Sequence, residues 1–212
     1  MNSLTVLIAD DHKIIHLGLA SIIEKSNPTA LIEHAIDFPT VVDLVRKHLF
    51  DLIIMDVNMP GGNFQSTLSL VKQIQPKVKV LAFSSADETL FAPRFIVQGA
   101  DGYLNKQSPE SQLETAIESM VHNGKYFSPK VKEILIQSAV GEAKSYQNPL
   151  DVLSDREIEI ANLLISGDSL KMISMKLFIH VSTASTYKTR IYKKLSIQSI
   201  PELIEVFKLY NS

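Results

Sequence analysis

The feature that most constrains the fold is a regular alternation over the first 126 residues. Short runs that are apolar at nearly every position alternate with amphipathic segments of helical period. The runs are "LTVLIA" (4–9), "ALIEHA" (30–35), "LIIM" (52–55), "KVLAFS" (79–84) and "GYLN" (102–105). Between and after them, 14–25, 39–49, 65–74, 88–98 and 109–122 carry the helical pattern. Strands that are apolar on both faces need cover on both faces, and connections of helix length join parallel strands. The pattern therefore predicts an α/β fold: a five-stranded parallel sheet with helices on either side.

Beyond residue 126 no further strand is predicted. Residues 127–149 form a linker with a helix at 129–138 and end in "AVGEAKSYQNP" (139–149), where Gly, Ser, Gln, Asn and Pro interrupt the apolar pattern. Residues 150–212 read as four helices, at 154–166, 169–177, 182–195 and 200–209, making a small all-α domain. "LSDRE" opens it with Ser154 as N-cap and Glu157 three residues on, a capping box, and Gly167 closes the first of these helices. With no cysteine, disulfide frameworks, thiolate metal sites and cysteine nucleophiles are excluded, and a reducing, cytoplasmic setting is expected. No apolar run approaches the roughly 20 residues of a membrane span, and Asp10 and Asp11 interrupt the first apolar run where a signal peptide would continue. The chain is expected to be soluble and unprocessed.

In such a sheet the groups outside the carboxyl ends of the strands converge at one edge. The first strand ends in Asp10 and Asp11, the third in Asp56, the fourth in Ser84, and Lys106 follows the fifth. Taken singly, a strand-end Asp is a turn or cap residue, a "DD" pair a helix start, and a lysine a solvated charge. Three carboxylates brought together repel one another unless a hard divalent cation sits among them. Two carboxylates, a backbone oxygen and waters commonly hold Mg²⁺, and a lysine and a hydroxyl beside it are arranged to take a phosphoryl group.

"IADDH", "DLIIMDVNMPGG", "LAFSS" and "GADGYLNK" together resemble, in order and spacing, a response-regulator receiver domain of flavodoxin-like fold over residues 4–122. The resemblance implies that Asp56 is the phosphoacceptor for a sensor histidine kinase. Asp10, Asp11 and Asp56 would hold Mg²⁺ together with the Asn58 backbone carbonyl. Lys106 would pair with phosphoryl oxygens, Ser84 would move to hydrogen-bond one of them, and Tyr103 would be the aromatic that swings inward with that hydroxyl. For Tyr103 a plain half-buried strand aromatic is the competing reading. Asn63 and Phe64 stand where many relatives have Asp-Gly, so the turn falls on Gly61, Gly62 or Asn63.

The second unit carries a basic helix. Residues 182–195, "STASTYKTRIYKKL", hold Lys188, Arg190, Lys193 and Lys194 and no acid. Ala184, Tyr187, Ile191 and Leu195 share one stripe suited to packing, and Ser182, Thr186, Thr189 and Lys193 lie opposite, flanked by Ser185 and Arg190. This is the layout of a recognition helix, or of a solvated surface helix. Over 153–197 the sequence resembles the LuxR-type helix-turn-helix of NarL/FixJ-class regulators. The resemblance lies in the Leu-Ser-x-Arg-Glu opening, Gly167, Ile173, Leu177 and the segment from Thr183 to Leu195, and "STYKTR" is most like the fimbrial and virulence regulators. It implies that Ser185, Thr186 and Thr189 face bases of promoter DNA, with Thr183 opening the contact segment, while Lys188, Arg190, Lys193 and Lys194 mainly hold phosphates. A homodimer spanning half-sites about 34 Å apart is the expected form. The last helix, with Leu203, Ile204, Phe207 and Leu209, forms the dimer contact or packs within its own domain.

The implied function is a phosphorylation-controlled transcriptional regulator and not an enzyme. A haloacid-dehalogenase-like phosphatase also uses a strand-end Asp but needs a second acid two residues on, where this chain has Asn58. A pseudo-receiver with constitutive DNA binding is the remaining alternative. His12 and His16, one helical turn apart, are assigned surface or packing roles because no third metal ligand accompanies them.

Overall fold

The computed structural model describes residues 3–85, 88–139 and 149–210. The chain divides into two compact units, residues 1–143 and 144–212. Most of the expected 139–149 linker lies outside the described residues.

In the first unit, β1 (Thr5–Ala9), β2 (Leu31–Ala35), β3 (Leu52–Asp56), β4 (Lys79–Ser84) and β5 (Gly102–Asn105) form one parallel sheet in the order β2-β1-β3-β4-β5. The helices are α1 (Lys13–Ser26), α2 (Phe38–Lys47), α3 (Phe64–Ile74), α4 (Glu88–Val97), α5 (Glu110–Asn123) and α6 (Pro129–Ala139). Helix α1 lies against α5, α2 against α3, and α4 against β5 and α6. Val6, Ile8, Leu52, Ile54, Leu81 and Phe83 belong to one buried cluster with Leu19 and Ile23 of α1 and Ile117 and Met120 of α5. Each such large apolar side chain contributes about 2 kcal/mol by leaving water. The alternate strand residues Leu7, Ile53, Met55, Val80 and Tyr103 are just as buried, which is why the runs are apolar throughout.

The chain leaves β1 for β2 on one side and returns to β3 on the other, so the strand order reverses between β1 and β3. That reversal opens a crevice at their carboxyl ends, where Asp10 and Asp56 stand. Asp37 caps α2 by accepting from Thr40 N (2.8 Å), and Asn63 caps α3 by accepting from Ser66 N (2.9 Å). The turn after β3 falls on Gly61, at φ 82°, where a Cβ would lie 2.6 Å from Pro39 Cδ. Asn63 is thus a cap and not the turn residue.

In the second unit a 3-10 turn, Pro149–Val152, precedes α7 (Asp155–Ile165), α8 (Leu170–Leu177), α9 (Val181–Leu195) and α10 (Ile200–Tyr210). Sequence period gave no sign of the 3-10 turn. The capping box is formed: Glu157 N donates to Ser154 Oγ (3.3 Å) and Ser154 N to Glu157 Oε2 (2.7 Å). Gly167 follows α7 at φ 86°. Ile160, Leu164, Ile173, Ala184, Ile191 and Leu195 are fully or almost fully buried. Helix α10 contacts α7 and the 3-10 turn, with Leu203, Val206 and Phe207 buried and Ile204 half-buried, so part of its apolar face packs within its own domain; the Leu209 side chain lies outside the described residues.

Candidate functional site

Three strand ends place the acidic group. Asp10 follows β1, its N–H held by Ala35 O of β2 (3.0 Å). Asp56 is the last residue of β3, and Asn58 N donates to its Oδ1 (3.1 Å). Lys106 follows β5, fixed by its own N–H to Ser84 O (2.7 Å). The lysine side chain bridges the first two, with Nζ 2.7 Å from Asp10 Oδ2 and 2.8 Å from Asp56 Oδ2.

Both carboxylates are buried, Asp10 at 0% and Asp56 at 3% exposure. Burial is the main reason that the Asp56 carboxyl lies above the ordinary carboxylate value. The nearby Asp10 charge adds to this, and Lys106 and the Asn58 N–H oppose it. For Lys106 burial disfavours the ammonium, but the charges of Asp56 and Asp10 outweigh it and hold its pKa above the usual lysine value. Asp10 Oδ2 is paired with the Lys106 ammonium at 2.7 Å.

Asp11 is exposed and completes the acidic set. Ligand atoms of Asp10, Asp11, His12 and Asp56 all lie within 4.8 Å of one another. Three carboxylates gathered within that distance fit a hard divalent cation such as Mg²⁺. His12 enters this cluster, with Nδ1 2.7 Å from Asp11 Oδ1 and 3.1 Å from Asp10 Oδ1. Its side chain stays exposed at the surface beside these carboxylates. His16 is buried against His34, Nδ1 to Nδ1 2.7 Å, and its Nε2 lies 2.6 Å from Asp10 O. Nothing in the sequence linked those two histidines.

Ser84 is fully buried at the end of β4. Tyr103, 1% exposed, stacks on Phe95 of α4 with ring centroids 6.0 Å apart and planes at 10°. It is more deeply buried than the half-buried strand aromatic of the competing reading.

On α9, Ala184, Ile191 and Leu195 are buried and Tyr187 is half-buried. Ser185, Thr186, Thr189, Arg190, Lys193 and Lys194 are exposed, while Thr183 and Lys188 are half-buried. The Thr186 hydroxyl donates to Ser182 O (2.9 Å) and that of Thr189 to Ser185 O (3.1 Å). Lys188 Nζ lies 5.2 Å from the Tyr192 ring centre, and the Arg190 guanidinium carbon 6.0 Å from that of Tyr187. Lys194 turns inward: its Nζ donates to Glu157 Oε2 (2.7 Å) and Val152 O (3.0 Å). Among the described residues Lys193 makes no ion pair.

The family model "Response regulator receiver domain" matches residues 6–118, and "Bacterial regulatory proteins, luxR family" matches 151–207. The chain is 35% identical over 211 residues to the Fimbriae Z protein of Escherichia coli (strain K12), covering 100% of this chain and 99% of that protein. It is 32% identical over 206 residues to the oxygen regulatory protein NreC of Staphylococcus carnosus, covering 94% of each. The fold is similar to that of RcsB from Salmonella enterica serovar Typhimurium bound to promoter P1flhDC in the presence of phosphomimetic BeF3-. That match has a TM-score of 0.60 and 22% identity, and covers 97% of this chain and 98% of RcsB. Two family models in series and full-length identity above 30% agree: the chain belongs to the response-regulator transcription factors, DNA-binding regulators and not enzymes, with a receiver domain followed by a LuxR-type helix-turn-helix.

Proposed function

We propose that the protein switches promoter binding by accepting a phosphoryl group on Asp56 from a sensor histidine kinase. The observation that carries the reading is the Lys106 ammonium held between Asp10 and Asp56 at the strand-order reversal. An Asp56 carboxylate oxygen attacks phosphorus, the phosphorus–nitrogen bond to the kinase imidazole breaks, and an acyl phosphate forms on Asp56. Asp10, Asp11 and Asp56, with the Asn58 carbonyl, would hold Mg²⁺, which when bound supplies positive charge against the transferring phosphoryl oxygens. Lys106 stays within reach of the same oxygens.

The modification adds about 1.5 to 2 negative charges and three strong acceptors beside Lys106 and near the end of β4. Ser84 turns its hydroxyl toward one of those oxygens, and Tyr103 couples that shift to α4 through Phe95. The population change reaches a homodimer contact. Thr183, Ser185, Thr186 and Thr189 meet promoter DNA, with Lys188, Arg190 and Lys193 on phosphates; Lys194 is assigned to the domain's own stability instead. The receiver spans 1–126, the linker 127–149 and the DNA-binding domain 150–212. A partner in promoter DNA places the protein in the cytoplasm, and among the described residues no helix is long and apolar enough to cross a membrane.

The test is treatment with acetyl phosphate or beryllofluoride plus Mg²⁺, followed by light scattering and DNA-binding titration. Wild type changes its oligomeric state or affinity, and Asp56→Asn does not. A variant that responds like wild type removes Asp56 from the role, and an untreated wild type already fully active favours constitutive binding.

A further inference from the structure

Phe178 lies in the turn between α8 and α9. Its backbone is left-handed, φ 53° and ψ 45°, a conformation that glycine or asparagine adopts readily and a bulky side chain only at a cost. Its side chain is 95% exposed, so no packing in the domain offsets that cost. Met172, Met175 and Val181, spaced by threes and sixes around it, are 45%, 62% and 47% exposed. Strain kept at an exposed residue points to a use for the side chain.

Charge identifies what the side chain meets. From Leu170 to Pro201 the sequence has six Lys or Arg and no Asp or Glu. The preceding acid, Asp168, is held by Lys176 (2.6 Å). Helix α9 begins at Val181, three residues after Phe178, with no side-chain cap on its N-terminal N–H groups and no acid in its first turn, an end that favours phosphate. Just before Phe178, Arg156 donates to Leu177 O (3.0 Å) and is paired with Glu159. Lys188, Arg190 and Lys193 of α9 make no ion pair among the described residues. An apolar ring beside such a mainly cationic stretch suits a polyanion that also offers apolar surface. Duplex DNA does so through its sugars and thymine methyls.

We infer that Phe178 is a DNA contact, its ring lying on the sugar and thymine-methyl surface at the edge of the groove entered by α9. The inference rests on the DNA-binding reading of α9 and adds a residue outside the recognition helix. The contact is apolar, so its loss lowers affinity without changing the number of phosphates neutralised.

The experiment uses the full chain with beryllofluoride and Mg²⁺, and duplexes selected from a random pool by the wild-type protein. Binding is followed by fluorescence anisotropy across a salt series. Phe178→Ala keeps the backbone cost and removes the ring; Phe178→Asn removes both. Both variants should lose affinity about 5- to 10-fold at an unchanged salt slope, with the Tm of Phe178→Ala unaltered and that of Phe178→Asn raised. Lys193→Gln, run alongside, should lower affinity and flatten the slope. If Lys193→Gln behaves so but the Phe178 variants bind like wild type, the inference falls and the α9 reading stands. If none of the three changes binding, the α9 reading falls as well. Lost affinity with a lowered Tm in Phe178→Ala, or full affinity with loss only of transcription by RNA polymerase, also overturns the inference: the first makes Phe178 structural, the second assigns it to a protein partner.

Discussion

Lys194 of α9 reaches back to Glu157, the residue that closes the α7 capping box, at 2.7 Å. One carboxylate therefore serves a helix start and a second helix at once. Burial would raise the Glu157 pKa, but the Lys194 hydrogen bond and the Ser154 N–H and hydroxyl outweigh it, and the value lies below the ordinary 4.5. A depressed folded-state pKa contributes stability above the unfolded value of 4.5, lost as pH falls through the folded value.

Glu157→Gln should therefore melt below wild type at pH 7, and the gap should close as pH drops below about 4.5. Lys194→Gln should lower Tm while leaving the salt slope of DNA binding near that of wild type, unlike Lys193→Gln. Thermal melts from pH 3 to 8 and salt titrations read both; a flattened slope for Lys194→Gln would return that lysine to the phosphate contacts.

The Asp56 carboxyl is raised above its ordinary 3.8, which gives the opposite sign. Its stabilising contribution is present below that value, where the group is protonated, and is lost as pH rises through the folded pKa. At pH 7 the ionised group costs stability. Asp56→Asn in EDTA should raise Tm, by about 2–4 °C for each kcal/mol in a chain of this size, and the gain should shrink as pH falls below about 4. A lower Tm at pH 7 would mean that the Lys106 pair outweighs burial.

Gln75, 6% exposed, ties three backbone groups together: its amide donates to Val45 O and His48 O, each at 2.7 Å, and accepts from Phe50 N at 3.0 Å. Gln75→Leu should destabilise by about 2–4 kcal/mol, because buried backbone groups lose their partners. Urea unfolding at an unchanged m-value is the measurement, and a loss under 1 kcal/mol would show that water replaces the amide.

Gly61→Ala should lower Tm, since the positive φ disfavours a side chain and the Cβ would stand 2.6 Å from Pro39 Cδ. Because Phe38 N also donates to Pro60 O (3.1 Å), the strain falls on the loop after Asp56, and uptake from acetyl phosphate should slow. An unchanged rate would show that α2 yields without moving that loop.

Strand ends were legible because two physical rules act at once: a run buried on both faces must be apolar, and the first polar residue after it stands at the sheet edge. Asp10, Asp56 and Lys106 were readable for that reason. Contacts between residues far apart in sequence were not. His16 meeting His34, and Lys194 turning to Glu157, depend on tertiary packing that helical period does not encode. On α9 the period separated the buried stripe from the exposed face but could not tell which exposed cation has an internal partner. Nothing in the sequence marks Phe178, whose left-handed backbone and exposure are set by the turn between α8 and α9.

The Thr186 and Thr189 hydroxyl protons point to carbonyls one turn back, so outward these two residues present lone pairs and methyl groups. If α9 is the helix that reads bases, such a surface suits the amino edges of adenine and cytosine and the thymine methyl, while the guanine edge, which asks for a donor, finds none in these two threonines. An operator rich in guanine opposite those two threonines would mean that their hydroxyls had turned outward to read it.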